Sequence, residues 1–158
     1  MLTVGDDAPD FAAPLAGEET EPFRLSNRTG TGPVVLAFFP AAFSSTCTTE
    51  LRTFRDEQAV FAEHDARIFG LSTDLPYALS RFRETNSLEF DLVSDNDGEI
   101  IEAYDVVDDW DHIALSNVAQ RAVFVIDPRG VIRYAWRADS PGEEPEYDEV
   151  IEAVEAVA

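Results

Sequence analysis

The sequence predicts an α/β fold in which helices flank a mixed central β-sheet, and two patterns carry this prediction. Apolar, β-branched runs alternate along the chain with segments whose apolar residues keep helical spacing, which is typical of strand–helix units. Towards the C-terminus, two β-rich runs flank a turn containing Pro and Gly, which predicts an antiparallel hairpin before a last helix. No repeat, linker or internal break interrupts residues 1–158, so we expect one domain.

The predicted elements follow one another with short connections. In chain order they are short strands within 10–25 around a turn at 16–18, a strand over 34–39, a helix over 46–64, a strand over 67–72, a helix over 76–86, a strand over 91–93, a helix over 99–104, strands over 122–126 and 131–136, and a helix over 146–157. The polar stretch between the helix over 99–104 and the hairpin, with the acidic run 108–111, is expected to be a surface loop.

The clearest local signals for secondary structure lie in the first half of the chain. The apolar run 34–39 is continuous and ends at Pro40, which is typical of a strand buried on both faces. Ser44 or Ser45 can then cap a helix whose apolar residues keep helical spacing with charges between them. Pro76 stands at the start of a later helix, where its missing amide donor is not needed. These signals fix the order of strand, loop and helix in the first half of the chain.

The charge of the chain indicates an acidic surface. Asp and Glu number 32 against 11 basic residues, a formal net charge of −21, and every basic residue is Arg. The acids are spread among periodic apolar residues, which favours a folded domain covered by carboxylates over an acidic tail. Repulsion at this density is costly in dilute buffer and nearly vanishes at molar salt, where the Debye length is about 3 Å. We therefore expect a host with a salty cytosol, such as a halophilic archaeon.

Composition also excludes several partners. Nucleic acids and anionic membranes need a basic footprint that an acidic chain does not offer. The longest apolar run, 33–40, is too short to span a bilayer. Residues 1–7 lack the basic start and the apolar core of a signal peptide. The sequence therefore predicts a cytoplasmic protein without nucleic-acid or membrane partners.

Cys47 is the only cysteine of the chain. A single cysteine cannot form an intramolecular disulfide and argues against a Cys-rich metal site, and no motif indicates a cofactor. A lone cysteine is commonly an inert buried thiol. Here, however, the predicted strand, loop and helix place Cys47 in the first helical turn, where free N–H groups and the helix dipole favour a thiolate. Pro40 and the loop through Phe43 can shield that thiolate, and the Ser44 hydroxyl can reach the sulfur.

The segment Pro40–Cys47, read Pro-Ala-Ala-Phe-Ser-Ser-Thr-Cys, resembles the Pro-x-x-x-(Thr/Ser)-x-x-Cys signature of peroxiredoxins. Thr48-Thr49-Glu50 continues the likeness, as in the thiol-specific antioxidant subgroup that includes bacterioferritin comigratory proteins. Four further segments resemble, in order, the family's opening, second strand, Tyr-Gly-Val element and arginine-bearing strand: 4–11, 70–74, 104–106 and 121–127. The likeness covers nearly the whole chain.

The resemblance implies a thioredoxin-like fold and a thiol-dependent peroxidase that reduces hydrogen peroxide or organic hydroperoxides. Cys47 would be the nucleophile and would pass through a sulfenic acid, with Pro40 shielding it and Ser44 in the place usually held by Thr. Arg121 would supply the cation that stabilises the thiolate and holds the peroxide oxygens. Glu50, one turn from Cys47, would position Arg121 by a charge-assisted hydrogen bond.

One position departs from the family pattern. Many relatives in the subgroup carry a resolving cysteine five residues after the first, and here that position is Arg52. The sulfenic acid would then be recycled from outside by an external thiol or a thioredoxin-like reductant, which is the one-Cys type. Relatives often form dimers, so a homodimer is a further expectation.

Two other functions remain open at this stage. A peroxide sensor or redox-linked binding protein could use the same oxidisable cysteine and recycle it poorly. A thioredoxin-fold interaction module without catalysis is the third class. The presence of Pro40, Ser44, Cys47 and Arg121 together argues against that module, which would not need all four.

Overall fold

The computed structural model describes residues 2–158, which form nine β-strands and five α-helices with two short 3₁₀ turns. The strands are β1 (Ala12–Ala16), β2 (Thr20–Arg24), β3 (Val34–Phe38), β4 (Arg67–Ser72), β5 (Asp91–Ser94), β6 (Val107–Trp110), β7 (Leu115–Ala119), β8 (Ala122–Ile126) and β9 (Ile132–Arg137). The helices are α1 (Ser45–Asp56), α2 (Gln58–Glu63), α3 (Pro76–Thr85), α4 (Glu99–Ala103) and α5 (Tyr147–Val157). No helix in this described part of the chain is long and apolar enough to cross a bilayer.

Seven strands form one mixed sheet in the order β2-β1-β5-β4-β3-β8-β9. β3, β4 and β5 run parallel to one another, because helices connect them in chain order, and the other neighbouring pairs are antiparallel. Every residue of β3 is buried, as its continuous apolar run predicted. The predicted α/β fold with a mixed central sheet is confirmed, and most elements lie close to their predicted bounds.

The two faces of this sheet bury two separate apolar clusters. Val35 and Ala37 of β3 pack with residues of α1, α2, α3 and α5 on one face. Leu36 and Phe38 point to the other face and pack with α4 and the β1–β2 hairpin, as the alternation of strand side chains requires. Cys47 belongs to the first cluster, so the helix that carries it packs directly on the sheet.

Gly70 in β4 permits the close approach of α1 to the sheet. A Cβ atom at this position would lie 2.6 Å from Leu92 Cδ2 and 3.3 Å from Leu51 Cδ1. The first distance is shorter than a carbon–carbon contact allows, and the second involves a side chain of α1. A larger residue would therefore force the Leu92 side chain to move and would press on Leu51 of α1.

The prediction of one continuous helix over 46–64 is wrong, because the structure has two helices in this segment, α1 and α2. Glu57 separates α1 from α2 with φ of −94° and ψ of 3°, outside the helical region. The apolar spacing does not reveal the break, since Phe54 and Phe61 lie on either side of it and are buried in the same cluster with ring centroids 6.0 Å apart. The break is C-terminal to Cys47, so the first turns of α1 are unaffected.

The region around 108–111 lies at the surface, as predicted, but its assignment as a loop is wrong, because it forms a hairpin of β6 and β7. Asp108 pairs with Val118 in an antiparallel ladder. The hairpin bends at Ala114, with φ of 57°, and at Asn117, with φ of 58°. Glycine usually marks such positive φ values, and Asp is depleted in strands, so the sequence pattern concealed the hairpin.

Candidate active site

Cys47 lies in the first turn of α1, as the sequence predicted. Ser44 is the N-cap residue with an extended backbone, and its carbonyl accepts the first helical hydrogen bond from Thr48 N at 3.0 Å. Phe43, the residue before it, adopts a φ of 71° and turns the chain from the loop into the helix. The amides of this first turn lack helical partners, so they can stabilise negative charge. The Cys47 side chain beside them is fully buried.

The loop that leads from β3 to Cys47 is fixed by Asp74. Pro40 follows β3 and is buried. Ala42 N donates to Asp74 Oδ2 at 2.8 Å, and Ser72 Oγ donates to the same oxygen at 2.7 Å. The end of β4 therefore holds the loop in place. Sequence reasoning missed this role of Asp74, although an acidic residue just after a buried strand was a usable signal.

Arg121, immediately before β8, brings its guanidinium to both Cys47 and Glu50. Nη1 donates to Glu50 Oε1 at 2.8 Å, and Nη2 donates to Cys47 Sγ at 3.4 Å. β3 pairs with β8 in the register Phe38↔Ala122, so the strand end that leads to Cys47 and the strand start that carries Arg121 meet at one edge of the sheet. The predicted hydrogen bond between Glu50 and Arg121 is present.

A further contact of Arg121 was not predicted. Nη2 also donates to the backbone carbonyl of Pro141 at 2.7 Å. A backbone carbonyl has no signature in the sequence, because every residue carries one. The guanidinium therefore has three acceptors: a carboxylate, a carbonyl and the sulfur.

Burial and ion pairing have opposite effects on the pKa values of Glu50 and Arg121. Desolvation raises the pKa of the Glu50 carboxyl to about 7, and the Arg121 guanidinium opposes this rise. For Arg121, burial lowers the pKa, but Glu50 and Cys47 outweigh burial and raise the pKa of Arg121 above its usual range. Arg121 therefore stays charged although only 2% of it is exposed. A buried positive charge therefore lies directly against the sulfur of Cys47.

Ser44 does not make the contact that the sequence analysis expected. Its hydroxyl donates to the carbonyl of Ala41 at 2.8 Å, whereas a hydrogen bond to the sulfur of Cys47 was predicted. The N-cap backbone places Ser44 one turn before Cys47, and the tight turn before the helix brings the carbonyl of Ala41 within reach. Rotation about the Cα–Cβ bond between staggered rotamers would redirect the hydroxyl.

Arg52 occupies the position at which a resolving cysteine was considered, and it ties α1 to the end of α3. Arg52 Nε donates to Asn86 Oδ1 at 2.9 Å, and Arg55 Nη1 donates to the carbonyl of Asn86 at 2.8 Å. Asn86 itself donates to the carbonyl of Phe82 at 2.9 Å. The helix that carries Cys47 is thus held at its middle by a neighbouring helix.

The assembled site combines a thiol at a helix N-terminus with an arginine fixed by a buried carboxylate. It can stabilise a thiolate and offer donors to negative charge that develops on a leaving oxygen. Within residues 2–158, no group of three or more His, Cys, Asp or Glu side chains could hold a metal ion. The sheet order and the thiol placed after β3 define the class of thiol-dependent redox proteins with a thioredoxin-like fold.

Comparisons with known proteins specify the family within this class. The AhpC/TSA family model matches residues 4–135, and the chain belongs to this family, the peroxiredoxins. It is similar to peroxiredoxin Bcp of Bacillus subtilis, with 34% identity over 137 residues that cover 86% of this chain and 85% of the relative. It is also similar to alkyl hydroperoxide reductase E of Mycobacterium tuberculosis, with 32% identity over 145 residues that cover 90% of each chain.

A solved structure agrees with these matches. The crystal structure of peroxidoxin BcpB from Mycobacterium tuberculosis superposes with a TM-score of 0.88 and 29% identity, covering 100% of this chain and 99% of that one. The thioredoxin-like peroxiredoxin fold is therefore confirmed, and so is the resemblance to bacterioferritin comigratory proteins. The protein is a thiol peroxidase.

Proposed function

We propose that Cys47 reduces hydrogen peroxide and organic hydroperoxides by attack of its thiolate on a peroxide oxygen. As the S–O bond forms, the O–O bond breaks: the sulfur loses two electrons and becomes a sulfenic acid, and the other oxygen takes up a proton and leaves as water or an alcohol. The observation that carries this proposal is the 3.4 Å contact of Arg121 Nη2 with Cys47 Sγ, made while Glu50 holds the same guanidinium.

Four further residues have proposed roles in this step. Arg121 stabilises the thiolate and then the departing oxygen, because negative charge moves from sulfur to oxygen within reach of the same donors. Glu50 fixes the plane of the guanidinium through its hydrogen bond to Nη1. Pro40, buried after β3, excludes water from the thiolate. Ser44 rotates from the carbonyl of Ala41 to donate its hydrogen to the bound peroxide.

We also propose the one-Cys mode of recycling. Cys47 is the only cysteine, so no thiol of the same chain can capture the sulfenic acid. An external thiol, either a small molecule or a thioredoxin-like protein, attacks the sulfur, forms a mixed disulfide and releases water. A second thiol then attacks the mixed disulfide, which returns the Cys47 thiol and yields the oxidised reductant.

A steady-state peroxidase assay tests this function. In molar salt, with several peroxides and several thiols, we expect peroxide consumption that depends on added thiol. The Cys47→Ser protein is the blank, and it should consume none, because the only nucleophilic sulfur is removed. Rapid oxidation of Cys47 that no reductant reverses would instead indicate the peroxide sensor. Absence of any oxidation would leave only the interaction module.

The setting of the enzyme is proposed from sequence and surface. We propose a cytoplasmic location, one domain over 1–158, and no nucleic-acid or membrane partner, and the net charge of −21 supports the absence of those partners. We propose further that two chains form a homodimer. Three large apolar side chains support this by their exposure: Phe43 at 55%, Leu75 at 63% and Tyr77 at 78%.

We propose a halophilic host, and this predicts that folding depends on salt. The net charge of −21 is carried by a surface without Lys, so self-repulsion is strong unless counterions screen it. Circular dichroism across a potassium chloride series should show loss of structure as the salt falls well below molar. Sucrose in place of salt should restore less of the folded structure, because sucrose is excluded from the protein surface but screens no charge. Equal stability in dilute buffer would contradict a halophilic origin and leave the catalytic proposal unchanged.

A further inference from the structure

The segment between β9 and α5 packs against the guanidinium of Arg121. We name residues 138–146 the strap. Pro141 in the strap is exposed, yet its carbonyl accepts a hydrogen bond from Arg121 Nη2 at 2.7 Å. Arg121 is only 2% exposed. A surface segment thus supplies one of the three acceptors of a buried guanidinium.

The first end of the strap is fixed to the backbone that carries Arg121. Ala138 N donates to the carbonyl of Arg121 at 2.9 Å. Gln120 Nε2 donates to the carbonyl of Ala138 at 2.9 Å. These two bonds tie the start of the strap to residues 120 and 121, just before β8.

The second end is fixed to α1, the helix that carries Cys47 and Glu50. The ring of Tyr147, the first residue of α5, packs edge-on against Phe54 of α1 with centroids 5.2 Å apart. Its hydroxyl donates to Glu144 Oε1 of the strap at 2.7 Å. The strap therefore connects the segment just before β8, which carries Arg121, with α1, which carries Cys47 and Glu50.

Between its ends the strap closes on itself. Asp139 N donates to Glu143 Oε1 at 2.7 Å, and Glu143 N donates to the carbonyl of Ser140 at 3.2 Å. This turn contains Pro141, whose ring restricts the backbone φ. The carbonyl that meets Arg121 is thus held by a folded turn rather than by a free loop.

From these contacts we infer that the strap is a positioning element for Arg121, an inference that rests on the proposed peroxidase function. Arg121 Nη2 carries two hydrogens, and the carbonyl of Pro141 takes one of them. With Nη1 held by Glu50, the plane of the guanidinium is set from two sides, and the second hydrogen of Nη2 is directed at Cys47 Sγ. A looser strap lets the plane rotate, and the donors then no longer meet the sulfur and the leaving oxygen.

The variant Pro141→Gly tests this inference. Glycine frees the backbone at the carbonyl and removes no side chain from the site. We expect the rate constant for oxidation of Cys47 by peroxide to fall about tenfold, since small misplacements of a catalytic group are costly. Alkylation of Cys47 by iodoacetamide, measured where the thiol is fully ionised, should change less than about twofold, because it needs the thiolate but no donor to a leaving oxygen. The matched control is Pro128→Gly in the β8–β9 turn, at the other end of β8, which should leave both rates unchanged.

A double-mutant cycle separates positioning from general loosening. If the strap acts through the arginine fork, Pro141→Gly should cause little further loss in an Arg121→Lys background. Three results would each overturn the inference. They are a full tenfold loss in the Arg121→Lys background, a parallel fall of the alkylation rate in Pro141→Gly, and a wild-type peroxide rate in Pro141→Gly. Failure of the peroxidase proposal would look different, because the wild-type protein itself would not react with peroxide.

Discussion

Replacing Arg121 by Lys is expected to lower the rate constant for peroxide reduction by about 10²- to 10³-fold, the usual loss when a donor to a developing oxyanion is removed. The guanidinium contacts three acceptors at once, on Glu50, Pro141 and Cys47. A lysine ammonium keeps the charge but lacks the planar fork, so it cannot hold all three in the same geometry. Stopped-flow measurement of a single turnover, with Cys47 reduced beforehand, gives the rate constant directly.

Substitution by Lys, together with a matched control variant, distinguishes a loss of catalysis from a loss of folding. An Arg121→Ala change would leave the buried Glu50 carboxyl and the carbonyl of Pro141 without their hydrogen-bond donor, so lost activity could then reflect unfolding. Arg24→Lys is the control, because Arg24 pairs with Asp10 at 3.1 Å on the surface and should not affect the rate. Equal rate constants for Arg121→Lys and the wild-type protein would remove Arg121 from the proposed chemistry.

The sequence predicted those parts of the site that are encoded locally. An apolar strand, a proline and a serine at the N-cap position place Cys47 at the start of a helix, and the structure has that arrangement, although the Ser44 side chain makes no capping hydrogen bond. The partnership of Glu50 with Arg121 came from the family resemblance alone. These residues are 71 positions apart, and only the register between β3 and β8 brings them together. Periodicity within either segment carries no information about that register.

The parts that the sequence did not predict depend on backbone atoms and tertiary contacts. The carbonyl of Pro141 and the positive φ of Ala114 are backbone features that no residue type announces here. The rotamer of Ser44 is decided by the nearby carbonyl of Ala41, which becomes available only once the loop has folded. The tie between Arg52 and Asn86 likewise requires α1 and α3 to be packed side by side. In each case the competing interaction exists only in the folded chain.

Without an external thiol, excess peroxide is expected to inactivate the protein completely by oxidising Cys47 past the sulfenic acid to the sulfinic acid. No second cysteine can capture the sulfenic acid, and the buried sulfur remains beside Arg121, which assists a second peroxide as it did the first. One equivalent of peroxide should stop at the sulfenic acid, which a dimedone-type probe traps. Intact-mass spectrometry distinguishes the products by the number of oxygen atoms gained.

Two controls define the outcome of that experiment. Added thiol should protect activity, because it removes the sulfenic acid before a second peroxide arrives. The Cys47→Ser protein should gain no oxygen at this position. A covalent dimer through Cys47 that is the main product and turns over would contradict the one-Cys scheme.

The rate of inactivation should also depend on how firmly α1 is held. Side chains five residues apart on an intact helix do not face each other, so a disulfide between Cys47 and an Arg52→Cys replacement requires α1 to open. Arg55 would still hold the carbonyl of Asn86 in that variant, at 2.8 Å in the present structure. We therefore expect little disulfide from Arg52→Cys alone, and more disulfide with slower sulfinic acid formation when Arg55→Ala is added. Equally fast disulfide formation in the single and double variants would show that the contact with α3 does not keep α1 closed.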